Sequence, residues 1–176
     1  MNWSRPLVPD AWVPEITALD PQVLRGRGFR GLIADLDNTL AEWNDAAPTP
    51  AVATWLQRAE AAGLRVCILS NNGGERVAAF ARGTGLPSVA GAGKPRRGGY
   101  RRALGLLGTA ASETVMVGDQ IWTDVLGARR MGMYAILVQP LAPREFIGTR
   151  SIRWLERAWV AHLKRGGALG LPFLGG

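Results

Sequence analysis

Five short, almost wholly apolar runs recur along this 176-residue chain, near 31–36, 65–69, 88–90, 114–117 and 134–138. A strand with one wet face alternates apolar and polar residues; a strand covered on both faces does not. Segments with helical spacing lie between the runs. Thr49-Pro50 starts one that reaches about Ala62, and others cover 75–84, 97–107 and 123–131. Parallel strands need crossovers of about that length. The pattern predicts a doubly wound, three-layer α/β/α Rossmann-like fold around a parallel sheet of about five strands.

The hydrophobic share of 47% and charged share of 20% suit one soluble globular domain. The expected division is an irregular arm over 1–30, a core over 31–138, and a C-terminal helix (about 151–164) with a Gly-rich tail over 139–176. In the arm, Pro9-Asp10-Ala11-Trp12-Val13 and Asp20-Pro21-Gln22-Val23-Leu24 each read as a capped helix start. No apolar run approaches the ~20 residues needed to span a bilayer, and Met1–Asp20 lacks the apolar segment of a secretory signal. One cysteine, Cys67, and one histidine, His162, exclude an intramolecular disulfide and a Cys/His zinc site. Cys67, inside an apolar run, reads as a small buried hydrophobe. His162 reads as a surface residue complementing a helix C-terminus.

In open parallel sheets, ligands sit beyond the carboxyl ends of the strands. Polar residues collect at those ends. Asp35, Asp37 and Thr39 follow the first run, and in an extended strand Asp35 and Asp37 would face one point. Ser70 and Asn71 follow the second run, Lys94 the third, and Asp119 the fourth, with Asp124 in the next helix. Asp124 serves equally as an acid favoured by the helix dipole. Two close carboxylates need a cation or a proton between them. A few carboxylates with phosphate oxygens suit Mg²⁺. A free carboxylate can attack as a nucleophile, and a second can move protons. Ser70, the 71–74 turn and Lys94 offer donors and positive charge to a transferring phosphoryl group. The set describes metal-assisted phosphoryl transfer to an aspartate.

These motifs, Asp35-Leu36-Asp37-Asn38-Thr39, Ser70-Asn71, Lys94-Pro95 and Gly118-Asp119 with Asp124, resemble the haloacid dehalogenase (HAD) superfamily of phosphatases. The resemblance implies Asp35 as nucleophile and Asp37 as general acid/base. It implies Mg²⁺ bound by Asp35, Asp119 and the Asp37 backbone carbonyl, with Asp124 supporting the metal shell. Thr39, Ser70, Asn71 and Lys94 would meet the phosphoryl group. Asp20-Pro21 before Gly28, Trp43 after the first motif, and Val117–Asp119 with Thr123–Ala128 are similar to the YqeG-type HAD-IIIA phosphatases. Mitochondrial relatives of that subfamily dephosphorylate phosphatidylglycerophosphate on the way to cardiolipin. No stretch is long enough for a cap domain; residues 40–49 form only a flap.

The net charge of +7 suggests an anionic partner. The run Arg96-Arg97-Gly98-Gly99-Tyr100-Arg101-Arg102, beside Lys94, reads either as a solvated helix face or as a basic rim. In the last helix, Ile152, Leu155, Trp159 and Leu163 share a face that docks on the core or lies on a membrane. The leading reading is a Mg²⁺-dependent phosphomonoesterase acting on phosphatidylglycerophosphate, cytoplasmic, with peripheral contact at the inner membrane face. The alternatives are a soluble phosphatase for a sugar phosphate, nucleotide or polynucleotide end, and a phospho-acceptor switch domain. A switch would carry an Asp after the third run, where this chain has Lys94. Nucleic-acid binding rests on charge alone.

Overall fold

The computed structural model describes residues 7–42, 45, 47–141, 159, 161, 163 and 165. Six parallel strands form one sheet: β1 (Ala11–Val13), β2 (Gly31–Ala34), β3 (Arg65–Leu69), β4 (Ser88–Val89), β5 (Thr114–Gly118) and β6 (Tyr134–Val138). Their order is β1-β6-β5-β2-β3-β4. The helices are α1 (Pro21–Gly26), α2 (Pro50–Ala61), α3 (Glu75–Thr84), α4 (Arg97–Leu107) and α5 (Leu126–Met131). The chain winds outward from β2 through β3 to β4, then returns to β5 on the other side of β2. The order therefore reverses between β2 and β5, where a crevice opens at the strand ends.

The sheet has six strands, where five were expected. The extra one comes from the arm: Ala11–Val13 is an edge strand paired with Ile136–Val138, so the expected helix start at Pro9–Val13 is corrected. Pro14 is the physical reason. In a helix begun at Asp10 it would lie where a backbone N–H must donate, and it has none. Asp10 instead continues the ladder. Its N–H donates to the Ala135 carbonyl at 2.8 Å, and its carboxylate accepts from Ala135 N–H at 2.8 Å. Asp20-Pro21 does start a helix, with the Asp20 carboxylate accepting from Gln22 N–H at 2.9 Å.

Alternate strand residues feed two cores. Leu32, Ala34, Val66, Ile68, Val115 and Val117 face α1, α2 and α3. Ile33, Cys67, Leu69, Met116, Ala135 and Leu137 face α4 and α5. This two-sided burial explains the continuous apolar runs. Thr49 caps α2 through Val52 N–H at 3.3 Å, and Trp55 is buried with its Nε1 donating to the Leu19 carbonyl at 2.7 Å. Four of the seven tryptophans fall among the described residues; Trp55 is buried, and Trp12, Trp122 and Trp159 are half-buried. In the last helix, Leu163 is buried and Trp159 packs against the second core, donating to the Leu7 carbonyl at 3.2 Å. At those two residues the apolar face docks on the protein. Ile152, Leu155, Trp43, His162 and the Gly-rich tail lie outside the described residues. Between β2 and α2 there are only residues 35–49, too few for a cap domain.

Candidate active site

The β2 strand ends at Ala34, and Asp35 N–H still donates to the Val117 carbonyl at 2.9 Å. The chain then turns. Leu40 and Ala41 N–H both reach the Leu36 carbonyl, and Asn38 takes a left-handed φ of 60°, which Asn tolerates better than most residues. Strand geometry therefore ends before Asp37, and the two carboxylates take different protein partners. Thr39 and the Asn38 side chain are buried in this turn, and Thr39 Oγ1 and Asn38 Oδ1 make no hydrogen bond among the described residues.

Asp35 enters a buried cluster. Its Oδ1 accepts from Lys94 Nζ at 2.6 Å, and the same ammonium donates to Asp124 Oδ1 at 2.7 Å. Asp35, Asp119 and Asp124 are all buried, with one carboxylate oxygen from each lying within 4.8 Å of the others. The cluster thus gathers three buried carboxylates, with the Lys94 ammonium bridging two of them. Burial raises the Asp35 pKa to about 7; Lys94 opposes the rise, and the Asp124 charge adds to it. Burial alone would lower the Lys94 pKa, but Asp124 and Asp35 outweigh it and hold the ammonium charged. Three converging carboxylates are hard oxygen donors of the kind that fit a divalent cation such as Mg²⁺.

The backbone builds this cluster by close approach. A Cβ on Gly118 would lie 2.3 Å from Asp124 Oδ2, so only glycine lets that carboxylate rest against the end of β5. The helix after Asp119 begins earlier than expected, at Ile121, with a π-turn over Ile121–Val125 before α5. Such turns are frequent at functional sites. Here Val125 N–H reaches back five residues to the Gln120 carbonyl, and Asp124 Oδ2 accepts from Gln120 N–H at 3.1 Å. The buried Tyr100 hydroxyl donates to the Thr123 carbonyl at 2.8 Å. Burial and the Asp124 charge both raise the Tyr100 pKa, so it stays a donor.

Ser70 is buried, and its Oγ accepts from Asn72 N–H at 3.1 Å, shaping the turn after β3. The Asn71 side chain is committed to the Lys94 backbone: it accepts from Lys94 N–H at 2.6 Å and donates to the Lys94 carbonyl at 3.2 Å. Its amide thus secures the loop that delivers the ammonium. The Lys94–Pro95 peptide is cis. Beyond it, Arg96, Arg97, Arg101 and Arg102 are exposed along the start of α4.

Asp37 faces a different set. Its Oδ1 accepts from both terminal nitrogens of Arg76, and its Oδ2 accepts from Asn72 Nδ2 at 2.8 Å. Arg76 Nε donates to the Asp45 carbonyl in the flap at 3.0 Å. Sequence reasoning passed over Arg76 and took Asn72 only as part of the 71–74 turn offering donors to a phosphoryl group, not as a partner of Asp37. One signal was available: Arg76 is the second residue of α3, where a cation opposes the helix dipole. It is a weak signal, because Arg97 sits at the start of α4 with no carboxylate partner among the described residues.

A parallel sheet with this acidic crevice at the point of strand reversal defines a HAD-like hydrolase, and the comparisons agree. A HAD-hydrolase-like family model matches residues 91–140, and a mitochondrial PGP phosphatase model matches residues 1–82. The chain is 38% identical over 160 residues to the "Probable phosphatase YqeG" of Bacillus subtilis, covering 91% of this chain and 93% of that one. It is 34% identical to the chloroplastic phosphatidylglycerophosphate phosphatase 1 of Chlamydomonas reinhardtii, over 88% of this chain and 61% of that longer protein. Two solved structures share the fold. An uncharacterized protein from Listeria monocytogenes has a TM-score of 0.56 at 20% identity, covering 67% of this chain and 85% of that one. Another, from Corynebacterium glutamicum, has a TM-score of 0.54 at 23% identity, covering 84% and 99%. The chain belongs to the HAD phosphatases of the YqeG type, with phosphatidylglycerophosphate phosphatases among its relatives. It is a phosphatase, and its substrate is a phosphorylated one.

Proposed function

We propose that the enzyme hydrolyses the terminal phosphomonoester of phosphatidylglycerophosphate, with Mg²⁺ as cofactor and through an aspartyl-phosphate on Asp35. The observation that carries the chemistry is the buried cluster of Asp35, Asp119 and Asp124 around Lys94. The substrate rests on the similarity to the lipid phosphatases, the open site without a cap, and the positive net charge.

In this reading Asp35 attacks phosphorus, a P–O bond to Asp35 forms, and the ester P–O bond breaks. Asp37 gives its proton to the departing glycerol oxygen, then takes one from the water that cleaves the acyl phosphate. Asp35, Asp119 and the Asp37 carbonyl would hold Mg²⁺, with Asp124 supporting them. When bound, Mg²⁺ supplies charge neutralisation to the carboxylates and the phosphoryl oxygens. Lys94 and Ser70 hold the phosphoryl group, beside the backbone of the 71–74 turn and Thr39. The exposed arginines at the start of α4 form the rim that a lipid headgroup would meet, consistent with peripheral contact at the inner face of the membrane. No helix among the described residues is long and apolar enough to cross a membrane.

The test is phosphate release from phosphatidylglycerophosphate in mixed micelles and from a panel of soluble sugar and nucleotide phosphates, each with and without Mg²⁺. Mg²⁺-dependent turnover of the lipid is expected, abolished by Asp35→Asn. Efficient turnover of a soluble ester with none of the lipid would transfer the assignment to the soluble reading. Retained activity in Asp35→Asn would remove the proposed nucleophile.

A further inference from the structure

A carboxylate has about four lone-pair sites, and Asp37 uses them unequally. Both terminal nitrogens of Arg76 donate to Oδ1, while Asn72 Nδ2 makes one contact to Oδ2 at 2.8 Å. Among the described residues Oδ1 is therefore saturated, and Oδ2 keeps a free lone pair. The third edge of the same guanidinium, Nε, donates to the Asp45 carbonyl at 3.0 Å. Arg76 and Asp37 are both largely covered, with side-chain exposures of 20% and 14%. A planar fork with fixed donors suits this three-way contact, and a lysine ammonium cannot reproduce it. The residue also sits in the first turn of α3, where its charge gains nothing from the dipole, so its helix does not account for its presence there.

We infer that Arg76 is the positioning residue for the proton-transferring carboxylate: it anchors Oδ1 of Asp37 and the flap at Asp45 together, leaving Oδ2 to carry the proton. Asn72 steadies Oδ2 without occupying it fully. Arg76 touches neither phosphorus nor the leaving oxygen. Its effect on the reaction passes through the orientation of Asp37. This rests on the role proposed for Asp37 and adds the residue that makes that role geometrically possible.

A structural role and a positioning role separate by leaving group. kcat/KM reports the steps up to the first irreversible one, and a good leaving group departs without a proton while a poor one needs it. The experiment measures kcat/KM with Mg²⁺ for substituted aryl phosphates from p-nitrophenyl to phenyl, in wild type, Arg76→Ala, Arg76→Lys, Asp37→Asn and Arg76→Ala/Asp37→Asn. Thermal unfolding of each variant is recorded alongside. Misplacing a reacting group by about 1 Å costs about 100-fold. For Arg76→Ala the expected loss is thus roughly 30- to 100-fold on phenyl phosphate, and roughly 3-fold or less on p-nitrophenyl phosphate. Arg76→Lys retains the selective loss in a milder form and guards against a folding artefact. The double variant matches Asp37→Asn alone. An equal loss across the series, or additive losses in the double variant, overturns the inference. If Asp37→Asn itself shows no dependence on leaving group, the role proposed for Asp37 fails, and that outcome is read without reference to Arg76.

Discussion

The two aspartates of the first motif stand two residues apart and live in different environments. Asp35 is buried, held by an ammonium that it shares with Asp124, in a cluster of three carboxylates. Asp37 lies at the edge of the site, held by a guanidinium from α3 and an amide from the turn after β3. The inner half is built by close packing: Gly118 against Asp124, Tyr100 under the π-turn, Asn71 clamping the lysine loop. The outer half is built by side chains that reach across partly solvated space. Folding and catalysis are therefore coupled in the inner half and separable in the outer half. Changes to inner residues should cost stability as well as activity; changes to outer residues should cost activity almost alone.

The largest effect is expected for Lys94→Met. Removing one partner of a buried ion pair typically costs about 3–5 kcal/mol, because the remaining charge is left uncompensated. Here two carboxylates lose the ammonium at once. Activity should fall below detection, and metal-free protein should unfold earlier in a urea titration. The loss should be smaller at pH 6 than at pH 8, because Asp35, whose pKa is raised to about 7 even with Lys94 present, accepts a proton in place of the missing cation. A variant as stable as wild type at pH 8 would break the proposed link between the inner half and the fold.

Next comes the pH dependence of the metal-free wild type. Asp35 has a native pKa of about 7, against an ordinary value of 3.8. Between those limits the native state binds a proton that the unfolded chain has released. Stability from this group therefore falls as pH rises from about 4 to 7. At ~1.4 kcal/mol per pKa unit, the fall is on the order of 4 kcal/mol at most. Lys94 keeps its charge throughout this window and adds no slope. Urea unfolding in EDTA across that range should show the decline. Asp35→Asn, which copies the protonated form, should flatten it; an unchanged slope in that variant would assign the proton elsewhere.

Much of the inner half was legible because it is local. Each residue follows an apolar run, and a parallel sheet brings the ends of such runs to one edge. The positions of Asp35, Ser70, Lys94 and Asp119 follow from that rule and from little else. β1 was not legible, since three residues carry almost no periodicity and Pro9-Asp10 imitates a helix cap. The π-turn was equally hidden: the Tyr100 hydroxyl that braces it lies 23 residues away from the Thr123 carbonyl that it holds. Arg76 was hidden in number as well as distance, one arginine among nineteen and 39 residues from Asp37. Nothing in the spacing of α3 says which side chain crosses to a loop.

Gly118→Ala tests close packing without touching charge. The added methyl would start 2.3 Å from Asp124 Oδ2, a distance that forces the carboxylate or the π-turn to move. Overpacking of this kind costs about 1–3 kcal/mol, and displaced Asp124 should weaken apparent Mg²⁺ affinity in activity titrations. Wild-type stability with wild-type metal dependence would show that the contact at Gly118 matters to neither.

The smallest effect on stability, and the sharpest contrast with Lys94, is expected for Asn72→Ala. Asn72 is exposed and gives Asp37 Oδ2 a single hydrogen bond from a neutral amide. Losing it at a solvated site should change stability by no more than about 0.5 kcal/mol, because water replaces the donor. Asp37 keeps the Arg76 anchor on Oδ1, so its carboxylate can still rotate about a fixed oxygen but is no longer steadied at the other. The expected result is a several-fold loss in kcat/KM on phenyl phosphate at unchanged melting temperature. A loss of stability comparable to that of Gly118→Ala would mean that the outer half, too, is part of the packed core, and the division between the two aspartates would not hold.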